Sequence, residues 1–170
     1  MRKYTSKTDV QKKSFYSDRF FVKPSIPRKE TIWDDVFFAD ENSLKEITEI
    51  IESYLELDHL VLVINAEDNV KVISHLKDNR SYDMMIELTA LDYIIKRGGF
   101  EIIYELLSIS KQKRIRVKTF INEKDTIQSV EPLFRMADWS EREMFDMYGI
   151  KIINHPYLQR ILMPNDWEGH

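Results

Sequence analysis

Residues 100–121 read FEIIYELLSISKQKRIRVKTFI, and this stretch predicts a β-hairpin. The basic residues Arg114, Arg116 and Lys118 alternate with Ile115, Val117, Thr119 and Ile121, which is the two-residue period of a strand. If the turn centres on Lys111–Gln112, apolar pairs share one face and an opposite-charge pair lies on the other. That register pairs Ile102 with Ile121, Tyr104 with Thr119, Leu106 with Val117 and Glu105 with Lys118. Because Lys-Gln is not a favoured two-residue turn, a longer loop stays open.

Upstream of the hairpin, the apolar pattern predicts two helices and two strands. Ser43 and Glu46 form a capping box at the start of a helix over residues 43–57, the clearest in the chain. The other elements are a buried strand over 59–64, a helix over 69–79 with Val72, Ile73 and Leu76 inward, a strand and its exit over 84–94, and a turn at Gly98–Gly99. This order predicts an α+β fold, in which helices cover a mostly antiparallel or mixed sheet.

We expect a single domain with an extended segment at each end. Residues 1–40 form a basic arm with aromatic residues, flexible when alone, residues 41–136 form the α+β core, and residues 137–170 form a helix and an extended docking motif. In residues 1–30, nine Lys/Arg stand against three Asp/Glu, whereas the whole chain has a net charge of −4. The arm leaves nucleic-acid binding open as a distant alternative, but an acidic body repels phosphates, so we expect no nucleic-acid partner.

Composition excludes several classes of site. The chain has no cysteine, which excludes disulfides, thiolate zinc sites, cysteine-held iron–sulfur clusters and cysteine nucleophiles. Its four glycines cannot form either glycine-based nucleotide loop. No run approaches the roughly 20 apolar residues of a membrane-spanning helix, and the N-terminus lacks the apolar core of a secretory signal. We therefore expect a cytosolic protein, or one that is peripheral on the cytosolic side of a membrane.

Residues 137–170, ADWSEREMFDMYGIKIINHPYLQRILMPNDWEGH, combine acids, histidines and arginines as an active site would. The local pattern nevertheless predicts structure: Ser140 and Glu143 form a second capping box, and Gly149 ends the helix. Arg142 and Asp146 are spaced to pair on the helix surface. No histidine pair has metal-binding spacing, so a free-standing metal enzyme that uses His155, His170 and an acid is a distant alternative.

The remaining residues, 155–170, predict a docking segment. Pro156 and Pro164 fix an extended path, and the apolar residues between and after them are too many for a solvated loop. A stiffened, aromatic segment that carries arginine is typical of interface anchors. We therefore expect the segment to pack partly on the body and partly on another protein.

The same residues carry a resemblance to a known family. The patterns E-R-E-x-x-D-x-x-G-I (141–150) and H-P-x-L-x-R-I-L-x-P-x-D-W-E-G-H (155–170) resemble the signature of the C-subunit family of NADH–quinone oxidoreductase, which is respiratory complex I. The stretches LTALDY (88–93), 100–118 and ADW (137–139) are also similar to that family. The resemblance extends over roughly residues 45–170. Family members usually continue past the final Gly-His, so we expect this chain to be a fragment or a short form.

The resemblance implies a subunit that is not an enzyme by itself and has no cofactor or catalytic or metal-binding residue. Iron–sulfur clusters, FMN and quinone are expected in partner subunits. The protein would lie in the peripheral arm on the cytoplasmic side, beside the large hydrogenase-like D-subunit and its neighbours in the quinone-reducing module, and would meet the membrane only through the complex. An equivalent subunit of a membrane-bound hydrogenase or formate hydrogenlyase is the alternative. The resemblance implies this docking motif: Glu141, Arg142, Glu143, Asp146, Gly149, His155, Pro156, Arg160, Asp166, Trp167 and His170.

Overall fold

The computed structural model describes residues 27–29, 34–164 and 166–170. Most of the predicted basic arm, residues 1–26 and 30–33, lies outside the described residues. The helices are α1 (Asp35–Lys45), α2 (Asn69–Arg80), the short α3 (Ile94–Arg97) and α4 (Ala137–Tyr148), with a 3-10 turn at Ala66–Asp68. The strands are β1 (Ile50–Glu56), β2 (His59–Ile64), β3 (Met84–Asp92), β4 (Gly99–Ser108), β5 (Lys113–Asn122), β6 (Thr126–Gln128) and β7 (Lys151–Ile153).

Five strands form one mixed sheet in the order β1-β2-β5-β4-β3. The pair β2–β5 is parallel, and the other neighbours are antiparallel. A mixed sheet with packed helices confirms the predicted α+β class. The described residues also contain a second, two-stranded parallel sheet, β6–β7, whose strands precede and follow α4.

The core lies between one face of the large sheet and the helices. Ile102, Tyr104 and Leu106 of β4 are buried on that face beside inward residues of β2 and β5. The predicted inward residues of α2, Val72, Ile73 and Leu76, are all fully buried against it. Each such side chain contributes roughly 1.5–3 kcal/mol by leaving water, so this face holds the sheet and helices together.

The opposite face of the sheet carries ion pairs. Arg116 donates to Glu105 at 2.7 Å and to Glu56 at 3.0 Å, so it links three strands. Lys118 lies 3.3 Å from Glu101 on the same face. A largely antiparallel sheet that packs helices on one side commonly presents such a polar second side.

The hairpin exists as predicted, but its register is shifted by two residues. Ile102 faces Thr119, Tyr104 faces Val117, Leu106 faces Ile115 and Glu105 faces Arg116. The last pair is Ser108 with Lys113, so the loop has four residues and includes Gln112 at φ +53°. Because side chains alternate with a period of two, a two-residue slip changes every partner while each side chain keeps its face.

The predicted helix over 43–57 is wrong. Ser43 lies near the end of α1, which begins after Asp34, whose carboxylate accepts from the N–H groups of Val36 and Phe37. The residues that follow form β1, which pairs with β2 across a tight turn in which Leu57 and Asp58 both have positive φ. Hairpin pairing therefore outweighs the helical spacing of the apolar residues, and Ser43 bonds to His75 of α2 instead of capping a helix.

Candidate functional site

The candidate site is built on α4, which lies in the sequence between β6 and β7, the two strands of the small sheet. The predicted capping box is wrong, because α4 begins at Ala137 and Ser140 lies inside it, with its hydroxyl 3.7 Å from the sulfur of Met136. The preceding turns supply the first hydrogen bonds, with the N–H of Ala137 donating to the carbonyl of Phe134. Gly149 closes the helix in the left-handed conformation at φ +72°, as predicted.

Two acids of α4 are buried on different sides of the helix. Glu141 and Asp146 are 2% and 1% exposed, although five helical positions separate them by about 140° around the axis. Glu141 shares the inward side with Ala137 and Met144. Asp146 points to the other side, where the C-terminal segment covers it. The helix is therefore held between the core and the last part of the chain.

Glu141 fastens α4 to the loop after β6. Its carboxylate accepts from the hydroxyl of Ser129 at 2.6 Å and from the N–H of Val130 at 2.7 Å. Burial raises the pKa of Glu141 to about 7, since these two hydrogen bonds only partly offset the loss of water and the nearby acids Glu131 and Asp138 add to the shift.

His155 joins the docking segment to the same acid. Its side chain is fully buried, and its Nε2 lies 3.4 Å from a carboxylate oxygen of Asp138 and 3.8 Å from Glu141. The N–H of Tyr157 donates to Nδ1 at 3.0 Å, which leaves Nε2 to carry the ring proton toward Asp138. The histidine therefore positions the start of the segment.

Asp146 organises the middle of the segment, and the predicted Arg142–Asp146 pair is wrong. One carboxylate oxygen accepts from three consecutive backbone N–H groups, at 2.7–3.0 Å, and the other accepts from Arg160 at 2.7 Å. The three N–H groups belong to Ile161, Leu162 and Met163. Burial alone would raise the pKa of Asp146, but these hydrogen bonds outweigh it and hold the pKa well below its usual range.

Arg160 and His170 hold the end of the segment against the end of α4. Besides Asp146, Arg160 donates to the backbone carbonyls of Trp167 at 3.3 Å and Gly169 at 2.6 Å. The His170 ring packs against Phe145 and fills the space beside Gly149, where a Cβ would lie 2.8 Å from the ring. These contacts hold residues 166–170 in place, although their apolar pattern predicts neither a helix nor a strand.

Arg142 braces the segment from outside. Its guanidinium donates to the carbonyls of Gln159 and Arg160 at 3.0 and 3.3 Å. It also lies 5.6 Å from the ring centroids of both Trp139 and Tyr157. This arginine therefore joins two exposed aromatic rings into one surface.

Of the predicted motif, Glu143, Pro156, Asp166, Trp167 and His170 are exposed. Five apolar or aromatic side chains of α4 and of residues 155–170 are 46–66% exposed, and we name this set the docking surface: Trp139, Met147, Tyr157, Leu162 and Trp167. Sequence reasoning did not assign Trp139, Met147 and Tyr157 to this surface. The spacing of Trp139, Glu143 and Met147 by four residues on one helix face was the available signal.

The structure does not bring the predicted metal-site alternative together. His155 faces Asp138 and Glu141, whereas the Nδ1 atom of His170 lies 3.2 Å from the carbonyl of Asp146. Within residues 27–29, 34–164 and 166–170, no group of three or more His, Asp or Glu side chains is arranged to hold a metal ion. In the same residues, no helix has the length and apolar character needed to cross a membrane.

Comparison with known proteins identifies the family. The model of the family described as "Respiratory-chain NADH dehydrogenase, 30 Kd subunit" matches residues 62–170, which include the whole docking motif. The C-subunit of the NADH-quinone oxidoreductase of Citrifermentans bemidjiense is 41% identical over 112 residues, which cover 65% of this chain and 70% of that protein. The C-subunit of Trichlorobacter lovleyi is 38% identical over 123 residues, which cover 71% of this chain and 76% of that protein.

A solved structure shares the fold. A chain of the membrane-bound sulfane sulfur reductase, an archaeal respiratory membrane complex, superposes with a TM-score of 0.65 at 18% identity, covering 78% of this chain and 79% of that one. The resemblance drawn from the sequence is confirmed by the family match and by the relatives. The chain belongs to the 30 kDa subunit family of the respiratory-chain NADH dehydrogenase, complex I, whose bacterial members include the C-subunit of NADH–quinone oxidoreductase.

Proposed function

We propose that this chain is a non-catalytic subunit of the peripheral arm of a proton-pumping NADH–quinone oxidoreductase. It lies on the cytoplasmic side of the membrane and packs beside the large hydrogenase-like subunit in the quinone-reducing module. By burying apolar surface there, it supports electron transfer from NADH to quinone through redox centres that other subunits hold. It needs no cofactor of its own for this role.

The observation that carries the proposal is the division of the C-terminal motif into an inner and an outer set. The inner side chains, Glu141, Asp146, His155 and Arg160, are committed to hydrogen bonds within the chain. The outer set is the docking surface, which exposes two tryptophans and a tyrosine. Exposed aromatic anchors on a rigid support are typical of a protein interface.

A second candidate keeps the docking role and changes the complex. The fold is shared with a chain of a respiratory complex that is named as a sulfane sulfur reductase. The second candidate is therefore an equivalent subunit of a membrane-bound hydrogenase or formate hydrogenlyase. The identity of the large subunit that co-purifies with this chain separates the two candidates.

Removal of the two tryptophan anchors tests the proposal. The variant Trp139→Ala/Trp167→Ala should lose co-purification with the co-expressed large subunit, because truncating a central aromatic anchor typically costs about 2 kcal/mol or more, or roughly thirtyfold in affinity. The measurement is the ratio of the two chains after affinity purification.

Phe38→Ala/Ile109→Ala is the matched control, since those side chains are 55% and 62% exposed on other parts of the molecule. The control should co-purify as the wild type does. Equal co-purification of the tryptophan variant, with its fold intact by circular dichroism, would contradict the proposed docking role.

A further inference from the structure

We propose that the partner surface that receives the docking surface is basic, with apolar pockets for the anchors and Lys or Arg side chains around them. This inference rests on the proposed function and states the chemistry of the partner. It follows from which charges of α4 and of residues 155–170 are satisfied inside the chain and which are not.

The two arginines of the motif already donate hydrogen bonds to acceptors within the chain. Arg160 pairs with buried Asp146 and donates to two carbonyls of the final residues. Arg142 donates to two carbonyls of the segment and lies between two aromatic rings. Neither guanidinium can leave these contacts without loosening the segment, so the motif's arginines have little capacity to bind a partner's acids.

Among the described residues, three exposed acids of α4 and of residues 155–170 have no such partners. Glu143 lies between Trp139 and Met147 on the outer face of α4, while Asp166 and Glu168 flank Trp167 in the segment. In the part of the chain that the structure describes, none of these three carboxylates makes an ion pair or a hydrogen bond. Each is adjacent to an anchor of the docking surface, so a partner that buries the anchors also meets these charges.

Charge complementarity then decides the chemistry of the partner. An acidic or neutral surface would bring the three carboxylates out of water without compensation, which is unfavourable. Lys or Arg side chains around the anchor pockets would compensate them and would speed the encounter at low salt. A basic protein surface is therefore the occupant that fits the observed charges.

Charge reversal with a matched control tests this inference. The variant Glu143→Lys/Asp166→Lys/Glu168→Lys and the control Glu49→Lys/Glu67→Lys/Glu123→Lys change the net charge equally, and the control acids are exposed and lie outside residues 137–170. We expect the first variant to associate with the purified large subunit ~10-fold more slowly at low salt, with a difference that shrinks as salt rises. The control should change association much less.

Three outcomes would overturn the inference: equal effects of the two variants, no effect of the first variant, or an effect that does not depend on salt. The basic residues of the chain's own N-terminal arm are the alternative binding partner of the three acids. A chain that lacks residues 1–26 tests that alternative. If charge reversal has no effect in that truncated chain, the acids attract the arm and the inference is wrong. Failure of the anchor variant Trp139→Ala/Trp167→Ala to weaken binding would instead contradict the proposed function.

Discussion

Two carboxylates on one helix have opposite environments. Glu141 is buried against the core and its pKa is raised, whereas the pKa of Asp146 is held low by Arg160 and three backbone N–H groups. One acid is thus easily protonated near neutral pH and the other stays ionised. The spacing of the two acids along the helix could not predict this difference. The hydrogen-bond partners of each carboxylate lie more than ten positions away in the sequence.

At the residue scale, the raised pKa of Glu141 predicts how stability changes with pH. The unfolded carboxyl titrates near 4.5 and the folded one near 7, so between these values the folded state binds more protons. The free energy of unfolding should therefore fall as pH rises through this window, by at most about 1.4 kcal/mol per pH unit. Glu141→Gln should remove that fall, which chemical denaturation of the purified chain at pH 5, 6, 7 and 8 measures.

Glu143→Gln is the control for this titration, because Glu143 is exposed on the same helix. It should leave the pH dependence of the wild type unchanged. Parallel curves for the wild type and Glu141→Gln over the whole range would show that Glu141 does not bind the extra proton.

At the element scale, the contact between the end of α4 and the final residues makes Gly149 more than a helix terminator. Gly149 and Gly98 both have left-handed backbones, at φ +72° and +75°, but only a Cβ at Gly149 would meet His170. Gly149→Ala and Gly98→Ala should each lower the free energy of unfolding by roughly 1 kcal/mol through backbone strain. Only Gly149→Ala should also displace residues 166–170.

Limited proteolysis of the C-terminal segment measures that displacement. Gly149→Ala should be cut faster near its C-terminus than Gly98→Ala, at conditions in which both variants are folded. Equal cleavage rates would mean that the His170 contact does not hold the segment on α4.

The elements differ in how far the sequence could predict them. The strand over 59–64 and the second helix were predictable because their apolar residues are continuous or lie on one helix face. The helix over 43–57 was not, since β1 gains its stability from hydrogen bonds to β2, which local spacing does not contain. The hairpin faces were predictable and its partners were not, because the loop is centred one residue earlier than predicted, which shifts the register by two.

At the scale of the whole molecule, the chain presents two different surfaces. The far face of the large sheet carries ion pairs within the chain, such as Arg116–Glu105. The C-terminal side instead exposes aromatic anchors next to acids that make no ion pair with the residues the structure describes. The packing of residues 155–170 on the body was predictable, because they contain too many apolar residues for a solvated loop. The division of the C-terminal motif into an inner and an outer set depends on how residues 155–170 cross α4, which only the folded chain defines.

The central claim is that the motif supports assembly and takes no part in the chemistry. The most direct test replaces Asp146 by Ala in the cell, with Asp78→Ala on α2 as control, and measures both the amount of assembled complex and its NADH–quinone turnover per assembled complex. We predict that Asp146→Ala lowers the amount, because the segment loses its central carboxylate, while turnover per assembled complex stays at the wild-type value. Normal assembly with lost turnover would contradict the account and would indicate that this motif takes part in catalysis.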